Sequence, residues 1–128
     1  MAQFQWPEFL EVARFLCKEG RHQGSFNFSE EAAIRCAVSR AYYSAFCHAR
    51  EYVERKKWYN PEEHHGCDHG NVPAALKKHN KITSATTLLK LLEWRRQSDY
   101  ELNIPNIDYQ SMSSEVLDKA SSIHLDLI

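Results

Sequence analysis

Arg95, Arg96, Asp99 and Tyr100 are the residues whose types and spacing point most directly to chemistry. They end a predicted helix whose apolar side consists of Leu88, Leu89 and Leu92. At 100° per residue, both arginines and Asp99 continue that apolar side, so they are predicted to face the interior or a cleft in it. Because unpaired charge is costly there, these groups must be paired, solvated or used.

Two interpretations of this group remain open. Asp99 lies four residues after Arg95 and three after Arg96, so it can pair with either on one helix. The pair then serves as a structural ion pair that fixes packing. Alternatively, Asp99 orients a guanidinium group that binds a phosphate or carboxylate of a ligand.

Arg40, Ser44 and His48 form a second row, at successive four-residue spacings along one edge of another predicted helix. A hydroxyl group between a cation and an imidazole is compatible with acid–base or nucleophilic catalysis. Serine on the flank of a helix is more often only a small polar residue. We therefore interpret Arg40 and His48 as candidate ligands for a polyanion.

A third group contains the potential zinc ligands His64, His65, Cys67 and His69. Structural zinc sites usually take their ligands from two separated pairs, since one short loop rarely reaches four tetrahedral positions. We expect a polar loop here, with a metal site as the alternative. No cofactor is predicted.

Composition indicates one soluble domain over residues 1–128. The formal net charge of −1 excludes a generally basic nucleic-acid-binding surface, so any polyanion site must be local. No run approaches the roughly 18 apolar residues of a membrane span, and no secretory signal pattern occurs. Cysteines without CxxC spacing favour reduced thiols, and hence a cytoplasmic protein.

Hydrophobic periodicity predicts five helices and no strands, in an all-α, four- to five-helix up-and-down bundle. The predicted helices cover residues 7–20, 30–57, 72–79, 83–102 and 109–125, with Ser29 as the N-cap of the second. In that second helix alanine recurs every four residues from Ala33 to Ala49, and apolar residues occupy two sides. A helix of this kind is predicted to lie at the centre of a bundle or at a dimer interface.

Three segments together resemble HEPN-domain proteins, in a small prokaryotic branch of that family. Residues 39–49, which read SRAYYSAFCHA, are similar to the branch's second-helix signature "RAYYAxFHA". Residues 95–100, which read RRQSDY, are similar to its "RxxADY" element. Residues 69–72, which read HGNV, resemble a histidine-and-valine element between the two. The resemblance covers roughly residues 5–125.

The resemblance implies a helical bundle, commonly a homodimer, that acts on RNA or nucleotides. Many members are toxin RNases encoded beside a minimal nucleotidyltransferase partner. Their catalytic members carry an arginine followed four to six residues later by histidine, whereas no histidine follows Arg95 until His124. An RNase that works without metal needs a group whose pKa is near neutral, and a carboxylate paired with arginine does not provide one. The usual active site is therefore missing.

We accordingly expect a module that binds a nucleotide, RNA or a nucleotidyltransferase-type partner, as part of a two-component, toxin–antitoxin-like system. The predicted ligand-binding residues are Arg40, His48, Arg95, Arg96, Asp99 and Tyr100. One alternative is an atypical metal-independent endoribonuclease that uses His48, facing Arg95 across the bundle. The other is a purely structural dimerisation module.

Overall fold

The computed structural model describes residues 3–19, 27–63, 68–104 and 107–128. Within these residues the chain forms five α-helices and a short 3₁₀ turn at Pro61–Glu63, which confirms the predicted all-α bundle. The helices are α1 (Pro7–Glu19), α2 (Glu30–Arg55), α3 (Asp68–Lys78), α4 (Ile82–Tyr100) and α5 (Tyr109–Asp126).

Two of the helices begin at a side chain that caps them, α2 at Ser29 and α5 at Asp108. The hydroxyl of Ser29 accepts a hydrogen bond from the backbone N–H of Ala32, as predicted for an N-cap. Asp108 caps α5 in the same way, through the N–H groups of Gln110 and Ser111. The predicted start of α3 at residue 72 is wrong, because the helix begins four residues earlier with Asp68, a residue type that the helix dipole favours in a first turn.

Helix α2 is the centre of the bundle, as its two apolar sides predict. It contacts each of the other four helices. The alanine series of α2 is buried throughout, and comprises Ala33, Ala37, Ala41, Ala45 and Ala49. Small side chains let the neighbouring helices approach closely, so residues of α2 can meet side chains from every other helix.

The buried side of α4 differs in part from the predicted one. Leu88 and Leu92 are buried, but Leu89 is 49% exposed and Leu91 is buried in its place. The buried face is thus rotated away from Leu89 by part of a turn. Arg96, two turns after Leu89, shares the exposed side, so the prediction that both arginines point inward is wrong for Arg96.

None of the helices in the described ranges combines the length and apolarity that crossing a bilayer requires. Cys17 and Cys47 are buried, whereas Cys36 is exposed. Cys36 borders a shallow apolar depression with Leu16 and Phe28.

Candidate functional site

Arg95 is the centre of a group of charged and aromatic side chains between α2 and α4. Its side chain is 15% exposed, and Nε lies 2.9 Å from Oδ2 of Asp99, whose side chain is 27% exposed. The Nε–H is not aimed at the carboxylate well enough for a hydrogen bond. The contact is therefore an ion pair, with the spacing of four residues that the sequence predicted.

Tyr43 and Tyr100 enclose the guanidinium group of Arg95. Nη2 of Arg95 donates a hydrogen bond to the Tyr43 hydroxyl at 2.9 Å and one to the Tyr100 hydroxyl at 3.4 Å. Its guanidinium carbon lies 5.2 Å from the Tyr43 ring centroid and 5.4 Å from that of Tyr100. These distances are within the range of cation–π attraction. Since Tyr100 is 71% exposed, the group opens to solvent at this residue.

Arg40 brings a second positive charge to Tyr43. Its guanidinium carbon lies 5.3 Å from the Tyr43 ring centroid and 5.2 Å from that of Phe9. From the preceding position on α2, the hydroxyl of Ser39 donates to Oδ2 of Asp99 at 3.3 Å. We call Arg40, Tyr43, Arg95, Asp99 and Tyr100 the arginine–tyrosine cluster. Its two guanidinium groups outnumber its one carboxylate, so it carries net positive charge.

His69, in the first turn of α3, borders this cluster. Nδ1 of His69 lies 2.5 Å from the Tyr42 hydroxyl, and its ring stacks on Phe46 with centroids 4.4 Å apart. Burial lowers the pKa of His69, and the positive charges of Arg95 and Arg96 lower it further. The imidazole is therefore held neutral beside two cations. Hydrophobic periodicity did not place His69 on a helix, because the predicted helix began at residue 72. The resemblance through residues 69–72 was the signal in the sequence that singled out His69.

The predicted ligand-binding residues do not all meet in one place. Arg40, Arg95, Asp99 and Tyr100 belong to the arginine–tyrosine cluster, and Arg96 is exposed at its edge. His48 points elsewhere: its Nε2 lies 2.5 Å from the backbone oxygen of Leu127. Within the described residues, no contact joins His48 to Arg95, so the expected approach of the two across the bundle is not found.

His48 belongs instead to a second group, formed with Ser44 and His124 and called here the terminal histidine cluster. The rings of His48 and His124 have centroids 4.4 Å apart. Ser44 is fully buried; its hydroxyl lies 2.8 Å from the backbone oxygen of Trp6 and 2.7 Å from Nε2 of His124. A serine in this position has no access to a substrate, so the nucleophile interpretation of Ser44 is wrong.

The candidate metal ligands are only partly within the described ranges. His64, His65 and Cys67 lie outside them, and His69 is hydrogen-bonded to Tyr42. Over the described part of the chain, no three His, Cys, Asp or Glu side chains are grouped so that they could hold a metal ion.

Arg35 supports the arginine–tyrosine cluster from α2, and the sequence did not predict this role. Its Nη1 donates to the backbone oxygens of Ser98 at 3.3 Å and Glu101 at 2.5 Å, and its Nη2 donates to that of Leu102 at 3.2 Å. Carbonyl groups at a helix C-terminus lack partners within the helix, and a guanidinium fork satisfies several of them at once. Arg35 thereby fixes the turn of α4 that carries Asp99 and Tyr100.

The cluster has the chemistry of an anion site with an aromatic wall. Guanidinium groups bind phosphate or carboxylate oxygens, and exposed tyrosine rings stack on planar groups such as bases. No protein-family model, curated protein or solved structure matches the chain.

Proposed function

We propose that the chain is a HEPN-like helical module that binds a nucleotide or RNA at the arginine–tyrosine cluster. The observation that supports this most is the environment of Arg95. Its guanidinium group is largely buried between two tyrosines, and one carboxylate is its counter-charge while Arg40 and Arg96 add positive charge nearby. An anionic group of a ligand, such as a phosphate, would offset this excess of positive charge.

Four residues of the cluster, together with Arg96 at its edge, have roles in this proposal. Arg95 meets a phosphate oxygen, and Asp99 holds the guanidinium group in position from one turn away. Tyr100, exposed at the opening, offers a ring face to a base. Arg40 and Arg96 increase the local positive potential. A local source is needed because the chain as a whole has a net charge of −1 and does not attract a polyanion.

The resemblance extends the proposal to assembly. We expect a homodimer that works with a nucleotidyltransferase-type partner in a two-component, toxin–antitoxin-like system in the cytoplasm. The exposed apolar residues Val12 and Phe15 of α1 are candidates for contact with another chain, since large exposed apolar side chains grouped together often mark an interface. Light scattering of the purified protein measures the mass of the assembly, and a monomer at all concentrations would contradict the homodimer.

The test of binding compares wild type with R95A. A short labelled single-stranded RNA and free nucleotides are titrated, with Kd followed by fluorescence anisotropy and by ligand-induced change in Tm. We expect R95A to raise Kd about tenfold or more, because a charge-assisted contact to phosphate is lost. The shallower dependence of log Kd on log salt, by about one unit of slope, would identify the lost contact as ionic.

R55A is the matched control. Arg55 is an exposed arginine in the last turn of α2, where it contacts the Tyr52 ring, so its removal changes net charge equally without touching the cluster. If R55A weakens binding as much as R95A does, binding is non-specific and the proposal for Arg95 is wrong.

An endoribonuclease that uses His48 with Arg95 has less support, because Nε2 of His48 is occupied by the Leu127 carbonyl group. This alternative predicts cleavage of RNA by the purified protein and growth inhibition that H48A relieves. A structural dimerisation module predicts that no nucleotide or RNA shifts the Tm.

A further inference from the structure

Three aromatic side chains of α2 contact the His69 ring. Its Nδ1 lies 2.5 Å from the Tyr42 hydroxyl, and one face stacks on Phe46 at an interplanar angle of 25°. Tyr43 meets the ring edge-on, with centroids 6.2 Å apart and planes at 74°. Among the described residues nothing hydrogen-bonds to Nε2, and this atom is not one of the buried unpartnered ones. As far as these residues are concerned, Nε2 is thus available to a ligand.

Tyr42 determines which ring nitrogen of His69 carries the proton. Tyr42 is fully buried, and burial raises the pKa of its phenol, which therefore stays protonated at neutral pH. A buried O–H must donate to an acceptor, and the nitrogen that it meets is Nδ1 of His69. The reverse arrangement, with the proton on Nδ1, leaves the phenolic proton unsatisfied. The neutral imidazole consequently carries its proton on Nε2.

The His69 ring and the Arg95 guanidinium group contact the same side chain, Tyr43. The two are therefore neighbours across one aromatic ring. Arg95 and Arg96 are near enough for their charges to act on His69. Asp68 is the acidic residue next to His69 in the sequence. Its carboxylate accepts a hydrogen bond from the Tyr59 hydroxyl and lies 3.9 Å from Arg50, so it does not accept from Nε2–H of His69.

We propose that His69 is a ligand-binding residue whose Nε2–H, set by the hydrogen bond from Tyr42, donates to a phosphate oxygen of the ligand held by Arg95 and Arg96. This inference rests on the proposed binding of nucleotide or RNA and adds its third helix, α3. It assigns to the site an uncharged donor beside two cationic ones. Tyr42 is the positioning residue, because it acts only through His69.

An uncharged donor differs measurably from a cation. Loss of a neutral hydrogen bond weakens binding equally at all salt concentrations, whereas loss of a cation also reduces the salt dependence. We expect H69A to raise the Kd for the labelled RNA about fivefold to tenfold with an unchanged slope of log Kd against log salt. H69Q, whose amide nitrogen reaches roughly the position of Nε2, should restore part of the affinity. H79A is the control, because His79 is an exposed histidine that stacks on Trp58.

The proton position is measured without any ligand, by long-range ¹H–¹⁵N spectra of the histidine rings at neutral pH. Wild type should show His69 with its proton on Nε2, and Y42F should show a mixture of the two forms together with a smaller loss of affinity than H69A. A proton on Nδ1 in wild type overturns the inference, whatever the binding result.

Binding by the R95A and H69A variants separates the role of His69 from the proposed binding function. If R95A weakens RNA binding and H69A does not, His69 is no ligand-binding residue although the cluster still binds. A reduced salt slope in H69A overturns the neutral donor. If wild type binds neither RNA nor nucleotides, both proposals are wrong.

Discussion

The ion pair between Arg95 and Asp99 is partly withdrawn from water, and this sets its energetic role. Side chains that are 15% and 27% exposed are screened less than surface charges. Removing either one leaves the other charge without its partner at a partly desolvated position, which destabilises the fold. The carboxylate also accepts from Ser39, so it joins α2 to α4. We expect D99N to lower the free energy of unfolding by about 1 to 2 kcal/mol, measured by urea denaturation.

The matched control for D99N is E93Q on the same helix. Glu93 pairs with Lys90 at 3.7 Å, but both side chains are roughly half exposed or more. Exposed pairs contribute less than about 1 kcal/mol, so E93Q should change stability very little. Equal effects of the two substitutions would show that the Arg95 pair is no more than a surface pair.

For the helices, the sequence predicted what depends on neighbours along the chain. Periodicity located five helices, and capping rules identified Ser29, because both are local effects. The spacing of Arg95 and Asp99 also predicted their pairing. It could not predict that His69 meets Tyr42 or that His48 meets Leu127, because these contacts depend on how helices rotate against each other. The buried side of α4 was misjudged for the same reason.

Arg35 shows how one helix can hold the end of another. It lies on α2, is 16% exposed and donates to backbone oxygens at the end of α4. Without it, those carbonyl groups lose a charged partner, and the last turn of α4 should open more readily. We expect R35A to lower the local opening free energy at the Glu101 amide by about 1 kcal/mol, measured by hydrogen exchange.

R35K provides the comparison for this prediction. Lysine keeps the charge but has a single nitrogen, which cannot reach the set of carbonyl groups that the planar guanidinium spans. Exchange at Glu101 should therefore be intermediate between wild type and R35A. Unchanged protection in R35A would mean that the end of α4 is held by other contacts.

The terminal histidine cluster joins the first and last described segments of the chain to the central helix α2. Ser44 on α2 contacts the backbone of Trp6, which precedes α1, and His124 on α5. His48, one turn further along α2, contacts the backbone of Leu127. Nδ1 of His124 is buried and has no hydrogen-bond partner in the described part of the chain. An imidazole in this environment is poorly suited to accept a proton.

Acid should therefore weaken the fold through His124 before the carboxylates are protonated. Burial, followed by the charges of His48 and Arg14, lowers the pKa of His124 from the ordinary value of 6.5 to about 4. Between these values the unfolded chain binds a proton that the folded chain does not, so the free energy of unfolding falls as pH is lowered from about 6.5 to about 4 and this contribution levels off below. Because the ring is only about half buried, we expect a loss of about 1 to 2 kcal/mol.

H124Q should flatten this part of the profile, measured by urea denaturation at a series of pH values, whereas H79Q should leave it in place. A profile that is as steep in H124Q as in wild type would assign the acid sensitivity to another group.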